Sequence, residues 1–371
     1  MLTSLQQHKW NLPHSVPAKP AGWDYGYVLK GQAIGRTREQ LIELVQRGAE
    51  MSYVWTPDTP EPVLPESVPF LIDAFRRNIR REARNTILFG AGLVVFDVLT
   101  AIVLHEWSLV YRSFLFVLGA VFLIDGIWVY AGSRHYTQED AMSDAATARF
   151  AAWIKNKPLS GYSFTLAACI VVVFVIQSFL ENSIEVAGLV KPAVWNGEIW
   201  RLFTATVMHA NFMHFWMNLL ALVSLSKIVE QTVQRAYVPL IFLLTAVVGS
   251  VFSVLLYPNS TSVGASGGLM GLFGFITITA YFDRTRYPPK YLRRMIEVIV
   301  LTGALGVVGF AFIDNAAHFG GLVAGLLLGW FFVKRSENGK LVTLGGSAAL
   351  IALASITAFA VYRMLLTATH R

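Results

Sequence analysis

The chain has 371 residues, of which 55% are hydrophobic and only 14% are charged. Soluble domains carry roughly 25% charged residues, so this composition excludes an ordinary soluble protein and indicates a polytopic membrane protein. The net charge of +7 is expected to orient loops rather than to bind nucleic acid, and the single cysteine, Cys169, excludes an internal disulfide and a cysteine-based metal cluster.

Residues 1–85 are predicted to form a cytosolic N-terminal region. The first 20 residues are polar, so they show no secretory signal. The apolar spacing within 36–50 predicts an amphipathic helix that ends near Gly48. Five prolines within 55–69 predict a semi-rigid linker. The region is interpreted as a short amphipathic appendage to the membrane part.

Apolar runs near the roughly 20 residues that a membrane span needs follow this region. Nine are found, at 86–104, 112–131, 162–180, 202–226, 238–257, 265–282, 295–312, 315–333 and 342–362. They predict an all-α polytopic membrane protein. Its expected parts are an extra helix pair at 86–131, a cytosolic loop at 132–161, a six-helix core at 162–335, and an extra C-terminal span with a tail at 336–371.

The loops between these runs alternate in their content of Lys and Arg. Basic residues cluster before the first span and in loops 132–161, 227–237, 283–294 and 334–341, whereas the alternate loops contain few or none. Because basic loops stay on the cytosolic side, the pattern predicts a cytosolic N-terminus and an external C-terminus. No organellar targeting segment is visible, so a bacterial inner membrane is expected.

Two carboxylates, Asp97 and Asp125, fall inside the extra helix pair. Charged groups in hydrocarbon are costly and are often functional. They are expected either to pair with each other or to bind a partner helix, and the alternative is an exposed or snorkelled position.

Ser266 lies at the outer end of an apolar run and is flanked by small residues, in Gly264-Ala265-Ser266-Gly267-Gly268. Small residues allow a neighbouring backbone to approach closely and leave the hydroxyl accessible. Taken alone, the pattern also fits a simple helix-packing patch that begins at Gly267.

His318 lies at the same predicted depth in another run and is followed by Gly321, Gly325 and Gly329. Glycines at this spacing form a groove along one helix face. Packing of that groove against the small face at Ser266 would bring a hydroxyl close to an imidazole, the arrangement of a nucleophile and its base.

His214 and Asn218 lie one turn apart on a third run. An imidazole and a carboxamide both donate hydrogen bonds, so the pair is suited to hold a developing oxyanion together with the Ser266 backbone N–H. A metal site formed by His209, His214 and His318 is a weaker interpretation, because no carboxylate lies at ligand spacing. No metal or other cofactor is therefore expected.

These motifs together resemble the rhomboid family of intramembrane serine proteases, over about residues 160–335. The resemblance rests on Trp200-Arg201, His214-x3-Asn218, Gly264-Ala265-Ser266-Gly267 and His318-x2-Gly321-x3-Gly325. It implies a rhomboid-like core with a Ser266–His318 catalytic dyad, oxyanion stabilisation by His214 and Asn218, and a structural role for Trp200 and Arg201.

The sequence departs from the family pattern at Met270, where a tyrosine often stacks on the catalytic histidine. A thioether still packs well against a ring, so activity is expected to be retained. The extra spans on both sides of the core are a second departure.

The resemblance implies an intramembrane serine endopeptidase that cuts transmembrane protein substrates near the outer membrane face. The expected partners are these substrates and the lipid bilayer, without nucleic acid, and the sequence does not indicate the oligomeric state. One alternative is a catalytically inactive rhomboid-like scaffold that binds membrane proteins. The other is a transporter, which would be expected to show matching halves, and no internal repeat is seen.

Overall fold

A computed structural model of the chain describes residues 18–59, 61–107, 113–309, 313–334 and 339–369. Several predicted features lie outside these ranges. They are most of the polar N-terminal stretch, Pro60 of the expected linker, residues 108–112, the last of which begins the second predicted span, residues 310–312 at the end of the predicted span 295–312, and Arg335 in the last basic loop.

Helices dominate the described residues, and the predicted all-α polytopic class is confirmed. The helices are α1 (Arg38–Gln46), α2 (Ile72–Val103), α3 (Phe114–Gly132), α4 (Gln138–Lys155), α5 (Gly161–Gln177), α6 (Ser183–Ala187), α7 (Lys191–Trp195), α8 (Arg201–Thr204), α9 (Phe212–Thr232), α10 (Tyr237–Leu256), α11 (Ser266–Phe282), α12 (Tyr291–Val308), α13 (Asn315–Lys334) and α14 (Gly339–Thr369). Five short strands accompany them, namely β1 (Tyr25–Leu29), β2 (Gln32–Arg36), β3 (Tyr53–Trp55), β4 (Leu189–Val190) and β5 (Thr261–Ser262).

Two compact units make up the chain. One comprises the described parts of Met1–Trp153, Pro288–Lys290 and Glu297–Phe312, and the other those of Ile154–Tyr287, Tyr291–Ile296 and Ile313–Arg371.

The first unit begins with a small folded module. Its antiparallel sheet has the order β2-β1-β3, and α1 starts with a capping box between Thr37 and Gln40. The predicted helix is confirmed, and it ends before Gly48, whose φ of +71° favours glycine. The proline-rich stretch belongs to this module, because Val63 pairs with Val54, and Val68 joins its apolar core.

The extra helix pair, α2 and α3, packs with its backbones in close contact. A methyl group on Gly90 would lie 2.7 Å from the Gly119 carbonyl oxygen. Asp97 is buried and accepts a hydrogen bond from the Ser113 hydroxyl, which also caps α3. The partner of Asp97 in the described residues is thus a serine rather than Asp125.

A partly buried ion pair lies at the start of α4. Lys290 Nζ lies 2.8 Å from the Asp140 carboxylate and 3.3 Å from that of Glu139. Burial alone would raise the pKa of Asp140, but hydrogen bonds from Lys290 and Thr137 outweigh it and lower that pKa to about 2.

The second unit is organised around α10, α11 and α13, which pack against one another. Phe242, Phe275 and Leu272 are fully buried between these helices. The C-terminal helix α14 packs against α5 and α10. The small sheet pairs β4 with β5, with Leu189 opposite Ser262.

Six described helices are long and apolar enough to cross a membrane, at Pro69–Val103, Leu115–His135, Phe212–Thr232, Tyr237–Leu256, Asn315–Phe332 and Gly339–Thr367. Two more apolar helices, Gly161–Gln177 and Ser266–Phe282, are shorter. The remaining predicted span, 295–312, corresponds to α12, which begins earlier and includes Arg293, Arg294 and Glu297. The chain is an integral multi-pass membrane protein, with fewer full-length apolar helices than the nine runs predicted.

Candidate active site

Ser266 is the first residue of α11 and follows a sharp turn. Gly264 has a φ of +139°, a backbone conformation that residues other than glycine rarely adopt. Its N–H donates to the Ala205 carbonyl at 2.9 Å. Ser266 thus lies in the first turn of α11, where backbone N–H groups have no acceptor within the helix.

Helices α11 and α13 touch through their backbones, as the glycine spacing predicts. A methyl group on Gly321 would lie 2.0 Å from the Gly267 carbonyl oxygen, and one on Gly325 would lie as close to the Gly271 oxygen. At the N-terminal end of both helices, the position of a Cβ on Gly267 is 3.5 Å from the Ala317 carbonyl oxygen. The contact brings together the ends of the two helices that carry the serine and the histidine.

His318 lies in the first turn of α13, and its N–H donates to the Asp314 carbonyl at 3.0 Å. Both His318 and Ser266 are half-buried. Within the described residues, the hydroxyl and the ring form no hydrogen bond with each other. Such bonds are often long in a protein without bound substrate and tighten in the reactive complex.

His214 faces the turn before the serine. Its N–H is capped by the Asn211 side chain at 2.9 Å. Its ring atoms Cε1 and Nε2 lie 2.8 and 3.0 Å from the position that a Cβ on Gly264 would occupy, and Ser266 Oγ lies 3.8 Å from the same point. The missing side chain at Gly264 therefore provides the space that the histidine ring and the serine hydroxyl share.

Asn218 lies one turn further along α9 and is buried. One of its amide hydrogens donates to the His214 carbonyl at 2.9 Å. Since a carboxamide has two N–H donors, the other remains for a ligand. Met270, one turn after Ser266, is half-buried.

His209 is fully buried among aromatic rings rather than lining an open site. Its ring lies 5.2 Å from that of His214 and 5.7 Å from that of Phe215. The Gln177 side chain bonds both backbone groups of His209. In the part of the chain that the structure describes, no three His, Cys, Asp or Glu residues are arranged to hold a metal ion.

Trp200 and Arg201 stabilise the loop before α9. The Arg201 guanidinium donates to the Gly188 carbonyl at 2.8 Å, to the Glu185 carbonyl at 3.0 Å and to the Glu198 carboxylate at 2.6 Å. It also lies 4.6 Å from the centre of the Trp200 ring. Arg363 of α14 lies against the same indole at 4.7 Å.

The buried Lys191 and the half-buried Asp314 form an ion pair that sequence reasoning missed. Lys191 Nζ lies 3.7 Å from the Asp314 carboxylate. Burial lowers the pKa of Lys191, and although burial also opposes ionisation of Asp314, bonds from Ser253 and Ala317 hold the pKa of that carboxyl below its usual range. The available signal was Lys191 itself, the only basic residue of loop 181–199.

The fold and these contacts define a multi-pass helical membrane protein in which Ser266 and His214 meet at one glycine turn. Comparison with known families gives a match to the rhomboid domain over residues 196–335. Residues 196–335 are therefore similar to the rhomboid domain, and the resemblance drawn from the motifs is confirmed over that stretch.

Individual relatives agree with this assignment. RHOMBOID-like protein 1 of Arabidopsis thaliana is 34% identical over 40% of this chain and 39% of its own length. RHOMBOID-like protein 6, mitochondrial, of the same plant is 34% identical over 40% of this chain and 48% of its own length. Rhomboid protease GluP of Bacillus subtilis is 30% identical over 46% of this chain and 34% of its own length. The chain thus spans less than half the length of these relatives.

Proposed function

We propose that this protein is an intramembrane serine endopeptidase. The observation that carries the proposal is that Ser266 and His214 meet at the Gly264 turn, while the start of α13, the helix of the proposed base, packs against the neighbouring Gly267. A family that includes a protein named as a protease supports the same reaction class.

In the proposed reaction, Ser266 Oγ attacks a substrate carbonyl and His318 takes its proton. The same imidazole then protonates the leaving amine. His214, Asn218 and the Ser266 N–H donate to the oxyanion. Water then hydrolyses the acyl-enzyme and frees the Ser266 hydroxyl. A site at the helix ends favours this step, because water reaches the surface of a membrane more easily than its middle.

The proposed orientation places the N-terminus in the cytosol and the site toward the outer face. It is supported by the alternation of basic loops. The proposed substrates are single-span membrane proteins whose backbone unwinds near that face. The relatives come from a plant and a bacterium, so they do not favour a bacterial inner membrane over a plant membrane.

Labelling with a fluorophosphonate probe in detergent tests the proposal. We expect the native chain to be labelled and Ser266→Ala and His318→Ala to lose labelling. Ser226→Ala is the matched control, because this buried hydroxyl has no hydrogen-bond partner in the described residues. His135→Ala, at an exposed histidine, controls for loss of an imidazole. A folded native protein that is not labelled would exclude the dyad and leave the binding-scaffold alternative.

A further inference from the structure

Lys191 is buried completely beside the loop that leads into the candidate site. Its side chain has 0% exposure, its Nζ donates to Ser260 Oγ at 2.7 Å, and it lies 5.5 Å from the centre of the Tyr257 ring. An unpaired ammonium group at such a position would be strongly destabilising. Asp314, at 3.7 Å, is the carboxylate that balances it.

Asp314 is held from several sides at the start of α13. Its Oδ1 accepts the Ala317 N–H at 3.0 Å and so caps the helix, while Oδ2 accepts the Ser253 hydroxyl of α10. Its own carbonyl accepts the His318 N–H. One residue therefore joins the first turn of the histidine helix to α10 and to Lys191.

The other end of the pair is connected to the serine. Lys191 directly follows β4, which pairs with β5, and its N–H donates to the Ser260 carbonyl at 3.3 Å. Strand β5 ends four residues before Ser266, and Asp314 lies four residues before His318. The ion pair thus links the two segments that deliver the reactive residues.

The packing of α11 against α13 explains what the ion pair between Lys191 and Asp314 would contribute. Near the N-termini of both helices, Gly267 and Gly271 face Gly321 and Gly325, so the helices lie backbone to backbone there, whereas the Ile278 and Phe275 side chains pack against Gly329 further along. Glycine faces allow close approach but carry no side chains that interlock and fix the register. A charged anchor at the outer end supplies what the groove lacks.

We propose that Lys191 and Asp314 are positioning residues, whose buried ion pair fixes the placement of His318 relative to Ser266. The inference rests on the proposed function and adds a second layer to the two-residue site. Removing one partner leaves a buried unpaired charge, which pulls its segment toward water. Removing both charges, by Lys191→Met together with Asp314→Asn, leaves a neutral site in which the new carboxamide oxygen still caps the helix.

Cross-linking tests the placement without depending on catalysis. Cys169→Ala removes the single native cysteine, and Ser266→Cys with His318→Cys then reports the separation of the two positions through a short bifunctional thiol reagent. We expect Lys191→Met to lower the cross-linking yield in the folded protein. Asp283→Asn is the matched control, because this carboxylate also binds a hydroxyl and an arginine but lies at the opposite end of α11.

Fluorophosphonate kinetics on chains with native Ser266 and His318 provide the second measurement. We expect Lys191→Met and Asp314→Asn to lower the limiting labelling rate by ~10- to 100-fold, as a misplacement of about 1 Å would. The half-saturating probe concentration should change less than ~2-fold, since the binding surface is intact. The double variant should be labelled faster than either single variant.

The outcomes separate this inference from the proposed function. An unlabelled native protein whose cross-linking still depends on Lys191 would exclude the protease while supporting the positioning pair. A labelled native protein whose single variants keep native cross-linking and labelling rates would overturn the pair and leave the protease intact. Equal changes in the Asp283→Asn control would also overturn it, because the effect would then not be specific to this anchor.

Discussion

Replacement of Gly264 by alanine perturbs the point at which the serine and His214 meet. The added Cβ would lie 2.8 Å from His214 Cε1, whereas carbon atoms in contact are separated by about 3.5–4.0 Å. The ring must therefore move by roughly 1 Å, or the turn must open. We expect the fluorophosphonate labelling rate to fall by about 100-fold, the cost of a displacement of that size at a reactive centre.

The same substitution also strains the backbone, because φ at Gly264 is +139°. Such strain costs on the order of 1–3 kcal/mol, so the melting temperature should fall as well. Gly197→Ala separates the two effects. Gly197 has a φ of +101°, but among the described residues, its two chain neighbours aside, no heavy atom lies within 4 Å of the position of its Cβ.

The control should lose stability but keep its labelling rate within about 3-fold, because the strain of roughly 1–3 kcal/mol falls on the loop and not on His214. Labelling is measured on samples that thermal unfolding shows to be folded at the assay temperature. Native labelling by Gly264→Ala would refute the shared space as the basis of the site. An equal loss in both variants would assign the effect to backbone strain alone.

Four further substitutions test the packing and the charges. Gly321→Ala should lower the melting temperature strongly, because its Cβ would lie 2.0 Å from the Gly267 carbonyl oxygen, whereas Gly92→Ala, in open space, should stabilise its helix by up to about 1 kcal/mol. Asp140→Asn should reduce the free energy of unfolding by at most about 1 kcal/mol at pH 7, because solvent screens this partly exposed pair. Because folding lowers the pKa of Asp140 to about 2, its contribution is complete above the unfolded value and disappears as the pH falls from about 4 to 2, so thermal melts of the two chains should converge there. Arg201→Lys should lower the melting temperature, since an ammonium group lacks the planar fork that reaches two carbonyls and a carboxylate; unchanged melts would contradict the anchoring role.

Much of the membrane part follows from the sequence because its signals are local. Long apolar runs select helices in hydrocarbon, where each backbone polar group needs an internal partner. The spacing of Gly321 and Gly325 predicted a groove along one face of their helix. In the structure, the backbone of α11 lies in that groove. The small residues around Ser266 and the one-turn spacing of His214 and Asn218 are likewise local features of the sequence.

Local signals failed where partners are distant in the chain or where burial decides the role. The strands of the N-terminal sheet are short, and their pairing depends on distant residues, since Gly26 of β1 lies opposite Trp55 of β3. The predicted span 295–312 also differs from the helix that forms, because α12 begins earlier, at Tyr291, and carries Arg293 and Arg294 in its first turn.

The sequence by itself determined the class of the protein and the helices on which the serine and histidines lie, since both depend on composition and spacing. Only the tertiary structure decided which charges meet. Asp97 is bonded to Ser113, and Lys191 lies against Asp314 across more than 120 positions of the chain. Buried charges are stable only with a partner in three dimensions, and no periodicity along the chain specifies that partner.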